Sequence, residues 1–162
     1  MERKYEKHNT AKERQTKPYN NFNTSNFIVK REIILNIPFD TRFRKYGYED
    51  VFWGKQLKEQ NIPILHIDNP ILLDDLETNP EFISKMEEGM DTLYTFKEDL
   101  KGYSGVIRMS EKLERMKFKY TFHFIFNIFR ETIKRNLIGN RPVIPLINIY
   151  KLGVFVNKDY RK

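Results

Sequence analysis

The chain has 162 residues, enough for one core. With 31% charged and 40% hydrophobic residues it reads as a soluble globular protein rather than a disordered one. The absence of cysteine excludes disulfides and thiolate-held metals and fits a reducing cytoplasm. The net charge of +7 is unevenly placed: +3 over residues 1–19, −5 over 20–107 and +9 over 108–162. The basic excess belongs to the tail, which argues against nucleic acid as the partner of the chain as a whole.

Residues 1–19 are polar and charged, with Tyr5, Ala11 and Tyr19 to bury, and Met1–Tyr5 lacks the apolar centre of a signal peptide. The most informative stretch is Phe39 to Leu57. There an aromatic-flanked glycine turn, Tyr46-Gly47-Tyr48, runs directly into Glu49-Asp50, and these open an apolar run with a helical pattern. Asp50 is a good capping type, able to accept from a backbone N–H one turn on. Val51, Phe52, Trp53 and Leu57 supply a buried side, while Lys55, Lys58 and Glu59 can stay wet. A carboxylate at a helix start sits at the positive end of the dipole, which favours its ionised form. Beside aromatic rings and a close-approach turn it can also face a ligand as a general base. Taken alone, Glu-Asp before an apolar run is usually only a capping device on a solvated helix start.

Ile62 to Ile67 reads as a short strand containing His66. His66 is either a half-buried residue bonded to backbone or a metal ligand. Asp68 either orients it or starts a turn with Asn69-Pro70. Pro80 to Leu100 reads as an amphipathic helix, with Thr78-Asn79 at its start and proline in the first turn. After Gly102-Tyr103-Ser104-Gly105, Val106 to Met116 reads as a second helix; neither carries a sign of chemistry. In the tail, Phe118, Phe122, Ile125, Phe129 and Ile133 fall on one helical stripe, flanked by Lys134 and Arg135 among other cations. Its length and polar interruptions do not suit a membrane-spanning helix. A basic, phenylalanine-rich helix can lie on an anionic membrane surface, or pack on its own domain or a partner subunit. Gly139-Asn140-Arg141-Pro142 ends that helix. Val143 to Val156, with Pro145 and Gly153 inside it, fits a short helix or an extended segment.

Several of these motifs agree in order with a known family. Phe22-Asn23-Thr24-Ser25-Asn26-Phe27-Ile28-Val29-Lys30-Arg31, then Phe39-Asp40, Tyr46-Gly47-Tyr48-Glu49-Asp50, Ile62 to Pro70 and Leu76-Glu77-Thr78-Asn79 together resemble the C-terminal half of bacterial family 2 glycosyltransferases. They are also similar to the galactosyltransferase C-terminal domain. The resemblance covers roughly residues 1 to 100. It implies an α/β chain, the C-terminal portion of a GT-A nucleotide-diphospho-sugar transferase fold with an Asn-Phe strand near residue 22, followed by a helical basic tail. Residues 1–105 would be the acceptor and catalytic-base portion, and 106–162 the tail. The implied activity is hexosyl transfer from a nucleotide-sugar to a glycan acceptor. Asp50 would be the general base, Glu49 would bind the acceptor, and Gly47, Tyr48 and Trp53 would line the acceptor site. His66 would complete a site for a divalent metal, manganese or magnesium, that holds the departing diphosphate.

The chain carries no Asp-x-Asp and no glycine-rich phosphate loop. It is therefore expected to be truncated or split, its nucleotide-binding half coming from a separate chain. The alternative is a non-catalytic remnant or a membrane-surface interaction module. Location is expected to be cytoplasmic, with peripheral contact at the inner membrane face through Lys134 and Arg135.

Overall fold

A computed structural model describes residues 10–69 and 77–160. Expectations for Met1–Tyr5, Pro70 and Leu76 lie outside the described residues. The chain divides into two compact units between residues 76 and 77.

The first unit contains helices α1 (Ala11–Gln15), α2 (Arg31–Asn36) and α3 (Glu49–Glu59). α1 opens on a capping box: the Thr10 hydroxyl accepts from the Glu13 N–H, and the Glu13 carboxylate accepts from the Thr10 N–H. The core is Phe22, Trp53 and Leu57, with Tyr19, Ile33 and Phe39 packed around them. Trp53 is 1% exposed. Its ring lies 4.8 Å from that of Phe39, 5.2 Å from Phe22 and 5.8 Å from Phe27. The indole Nε1–H donates to the Ile37 carbonyl at 2.7 Å, pinning the segment after α2 to α3. Next to it, Gly54 lets the Tyr19 backbone cross α3. A Cβ there would sit 2.5 Å from the Tyr19 carbonyl oxygen.

The described residues contain no strand. The expected α/β architecture, and with it the GT-A fold of family 2 glycosyltransferases, is not what this chain adopts. A strand exists by pairing its backbone groups with a neighbour, and the segments expected to be strands find other partners. The side-chain amide of Gln15 donates to the Ile64 carbonyl and accepts from the His66 N–H. The Ile67 carbonyl accepts from Arg14, and that of Asn69 from Asn26. Ile62–Ile67 is thus tied to α1 by side chains. Near residue 22, the Asn23 side chain accepts from the Ser25 N–H in a local turn, and the chain enters α2 at Arg31. That turn chemistry displaces the Asn-Phe strand.

The second unit contains α4 (Asn79–Thr95), α5 (Gly105–Arg115), α6 (Lys119–Ile138) and α7 (Pro145–Asn157), closed by a 3₁₀ turn at Lys158–Tyr160. α4 starts at Thr78-Asn79 with Pro80 in the first turn, as its sequence predicts, and Thr78 and Glu81 additionally form a capping box. α7 packs against α4, α5 and α6 and buries Ile147, Tyr150, Phe155 and Val156. Gly153 admits the Phe126 ring of α6, which a Cβ at that position would strike. α6 consequently buries Phe126 and Leu137, while Phe118, Ile125 and Phe129 of the expected stripe are exposed. Because large apolar residues of α6 lie both on the side of Phe126 and on that of Phe124, Ile125 and Ile128, spacing alone does not choose its inner face; the gap at Gly153 does. No helix among the described residues is long and apolar enough to cross a membrane.

Candidate functional site

The turn before α3 holds two consecutive residues at positive φ, Gly47 at 94° and Tyr48 at 71°. Glycine adopts this conformation freely, but tyrosine pays for it, of order 1–2 kcal/mol. Tyr48 is the N-cap of α3 and gives no side-chain cap, so the helix begins at Glu49 rather than being capped by Asp50. Strain of this kind persists where the surroundings hold it in place, and such positions cluster at functional sites.

Asp50 lies in the first turn, its Oδ1 accepting from the Val51 N–H at 2.7 Å. Burial pushes its pKa above the ordinary aspartate value; the Val51 bond opposes the shift, and the neighbouring Glu49 charge adds to it. Glu49 Oε2 is buried and has no hydrogen-bond partner. A buried carboxylate oxygen without a donor is costly, and a ligand hydroxyl can satisfy it. One carboxylate inclined to take a proton thus stands beside one able to accept a hydrogen bond. Tyr46, at the same turn, is 54% exposed.

The other expected site residues are placed differently. Trp53 has its faces covered by Phe22, Phe27 and Phe39, so it supports α3 from within. His66 has both ring nitrogens engaged: Nδ1 accepts from Arg14 Nε at 3.3 Å, and Nε2 lies 3.0 Å from the Pro18 carbonyl. This pattern matches one neutral tautomer, with Nε2 protonated. The Asp68 carboxylate accepts from the Ala11 N–H at 2.9 Å. Among the described residues, no group of three or more histidine, cysteine, aspartate or glutamate side chains is placed to hold a metal. Both ring nitrogens of His66 are thus engaged within the protein in this arrangement. Lys134 pairs with Glu87, whereas Arg135 is exposed.

A cleft of about 500 Å³ opens between residues 36–41 and the far end of α3, lined there by Gln56, Glu59 and Gln60. Neither Glu49 nor Asp50 lines it. Gln56 Oε1 is buried without a partner. Gln56 follows Glu49 by seven positions, close to two helical turns, so the two residues lie on one side of α3, their Cα atoms about 10 Å apart along its axis. Sequence spacing alone shows that Glu49 and Gln56 share a side; that both oxygens are buried emerges only in the fold.

A polar cluster that the sequence does not reveal links three helices of the second unit. Glu87 of α4 accepts from Lys134 of α6 at 2.9 and 3.1 Å and from the Tyr150 hydroxyl of α7 at 2.5 Å. Burial raises the Glu87 pKa, but the bonds from Tyr150 and Lys134 outweigh it and hold the carboxyl below its ordinary value. Tyr150 is fully buried, and burial together with Glu87 pushes its hydroxyl pKa up. Every member binds another helix, so the cluster is an internal tie.

Compared with known proteins, the chain matches no family model, no curated protein and no solved structure. Together with the lack of any strand among the described residues, this removes the assignment to family 2 glycosyltransferases and to the galactosyltransferase C-terminal domain. What remains is the local chemistry of the Gly47–Asp50 turn.

Proposed function

We propose that the Glu49–Asp50 turn binds a hydroxyl-bearing glycan acceptor and that Asp50 is the general base in glycosyl transfer to it. The reading rests on the site and not on a fold family. The observation that carries it is the pairing of Asp50, its pKa raised by burial, with a buried, unpartnered oxygen of Glu49. In the proposed step the Asp50 carboxylate takes the hydroxyl proton. The acceptor oxygen forms the new bond to the anomeric carbon, whose leaving group departs with its electron pair. A sugar hydroxyl is a weak nucleophile until a positioned base takes its proton, and such help is worth about 10²–10⁴-fold in rate. Glu49 accepts from a second acceptor hydroxyl, and Tyr46 offers an exposed ring at the same turn.

The donor would be held by a further polypeptide segment. Ile28 at 98% and Leu65 at 79% exposure give the first unit apolar surface for such a segment to cover.

The acceptor half is testable without a donor. Saturation-transfer NMR of the full chain against a panel of disaccharides should show contacts that weaken at least tenfold in Glu49→Gln. Absence of binding across the panel, or equal binding by Glu49→Gln, would remove the reading.

A further inference from the structure

We propose that the outward face of α6 docks on an anionic membrane surface. Phe118, Tyr120, Phe124, Ile125, Ile128 and Phe129 lie at or along α6 and are each between 49% and 67% exposed. At 100° per residue they occupy one half of the helix circumference, Tyr120, Phe124 and Ile128 along one edge and Phe118, Ile125 and Phe129 along the other. The opposite half is committed to the protein interior through Phe126 and Leu137. A helix of a water-soluble unit normally turns polar residues outward. Six large apolar side chains on one outward face mark a surface that something covers.

Charge selects the occupant. Residues 108–162 carry a net +9, and exposed Arg115, Lys117 and Arg135 border the aromatic face at both ends. The acidic groups on or beside this face are Glu131, which is exposed, and Glu114 and Asp159, which both pair with Lys119. Aromatic side chains along an amphipathic helix with cations at its margins suit the headgroup boundary of a bilayer, where rings insert while ammonium and guanidinium groups meet phosphates. A helix lying in the surface plane accounts for both the apolar width and the positive rim. It also agrees with the absence, among the described residues, of a helix able to cross the bilayer.

The test uses the full chain and cosedimentation with phosphatidylcholine vesicles, with and without phosphatidylglycerol. Binding should require the anionic lipid and weaken as salt is raised. Each of Arg115→Gln, Lys117→Gln and Arg135→Gln should lower partitioning by roughly fivefold. The double substitution Phe124→Ser with Phe129→Ser should lower it by more than about tenfold. All of these side chains are exposed, so the far-UV dichroism of every variant should equal that of the parent. Equal binding to neutral vesicles, or no binding to either kind, would overturn the proposal. So would a homodimer, detected by light scattering, that the double phenylalanine substitution disperses, because a second copy would then be what covers the face.

Discussion

Gly54→Ala sets two physical effects of opposite sign against each other. In an exposed helix interior, alanine is favoured over glycine by about 0.8–1.0 kcal/mol. Gly54 is instead where α3 meets the backbone of Tyr19. A new Cβ would lie 2.5 Å from that carbonyl oxygen and 3.3 Å from the Phe22 Cβ. The nearest atom belongs to the backbone and cannot swing aside like the end of a long side chain. Overpacking of this kind costs about 1–3 kcal/mol, and a clash with main chain belongs at the upper end. The net expectation is destabilisation by about 1–2 kcal/mol, or about 4–16 °C in melting temperature for a unit of this size. Trp53 is the only tryptophan and sits at the centre of the same unit, so urea unfolding followed by its fluorescence reports on this region directly. The variant should unfold at lower urea with a similar slope. A higher midpoint would mean that helix propensity governs position 54 and that the close crossing of Tyr19 is wrong.

Three further outcomes follow from the packing and the charges. Burial raises the folded-state pKa of Asp50, so its contribution to stability is fully present below the ordinary aspartate pKa and is lost as pH rises through the raised one. Asp50→Asn should therefore be more stable than the parent at neutral pH, with the gap closing on acidification; unfolding curves at several pH values check this. Glu87 behaves oppositely: its depressed pKa gives stability present above its ordinary value of 4.5 and lost as pH falls below it. Glu87→Gln should cost about 1–2 kcal/mol at neutral pH and nearly nothing in strong acid, measured by far-UV dichroism. Gly153→Ala should displace Phe126 from its place against α7 and cost about 1–3 kcal/mol, seen as an earlier thermal transition of the second unit.

Three helices of the second unit, α4, α5 and α6, were legible because they carry local signals, whereas the segment of α7 fitted a short helix or an extended run. The Thr78–Glu81 capping box emerges in the fold, but Thr78-Asn79 with Pro80 in the first turn marks the start of α4, and Gly139 closes α6, both readable from residue type. The inner face of α6 was not, because it depends on the gap that Gly153 leaves on a helix later in the chain. The α/β expectation failed for a related reason. Ile62–Ile67 has the composition of a strand, but composition cannot supply a neighbour. The side-chain amide and guanidinium that hold its backbone come from Gln15 and Arg14. α2 went unread because its six residues, Arg31–Asn36, carry no side-chain cap and make too short a helix to show a periodic pattern. At the candidate site, Glu49 and Asp50 stood out as a pair at a glycine turn, and the structure keeps them together. Trp53 and His66 stood out by residue type alone, and folding places one in the core and engages both nitrogens of the other.

The central claim is that Asp50 takes the proton of an acceptor hydroxyl. Its most direct test is glycosyl transfer to a glycan acceptor by the full chain supplemented with a donor-binding polypeptide, comparing the parent with Asp50→Asn at matched folded concentration. The account predicts that the substitution lowers the rate by about 10²–10⁴-fold while the protein stays folded. Transfer at the parental rate by folded Asp50→Asn would contradict it.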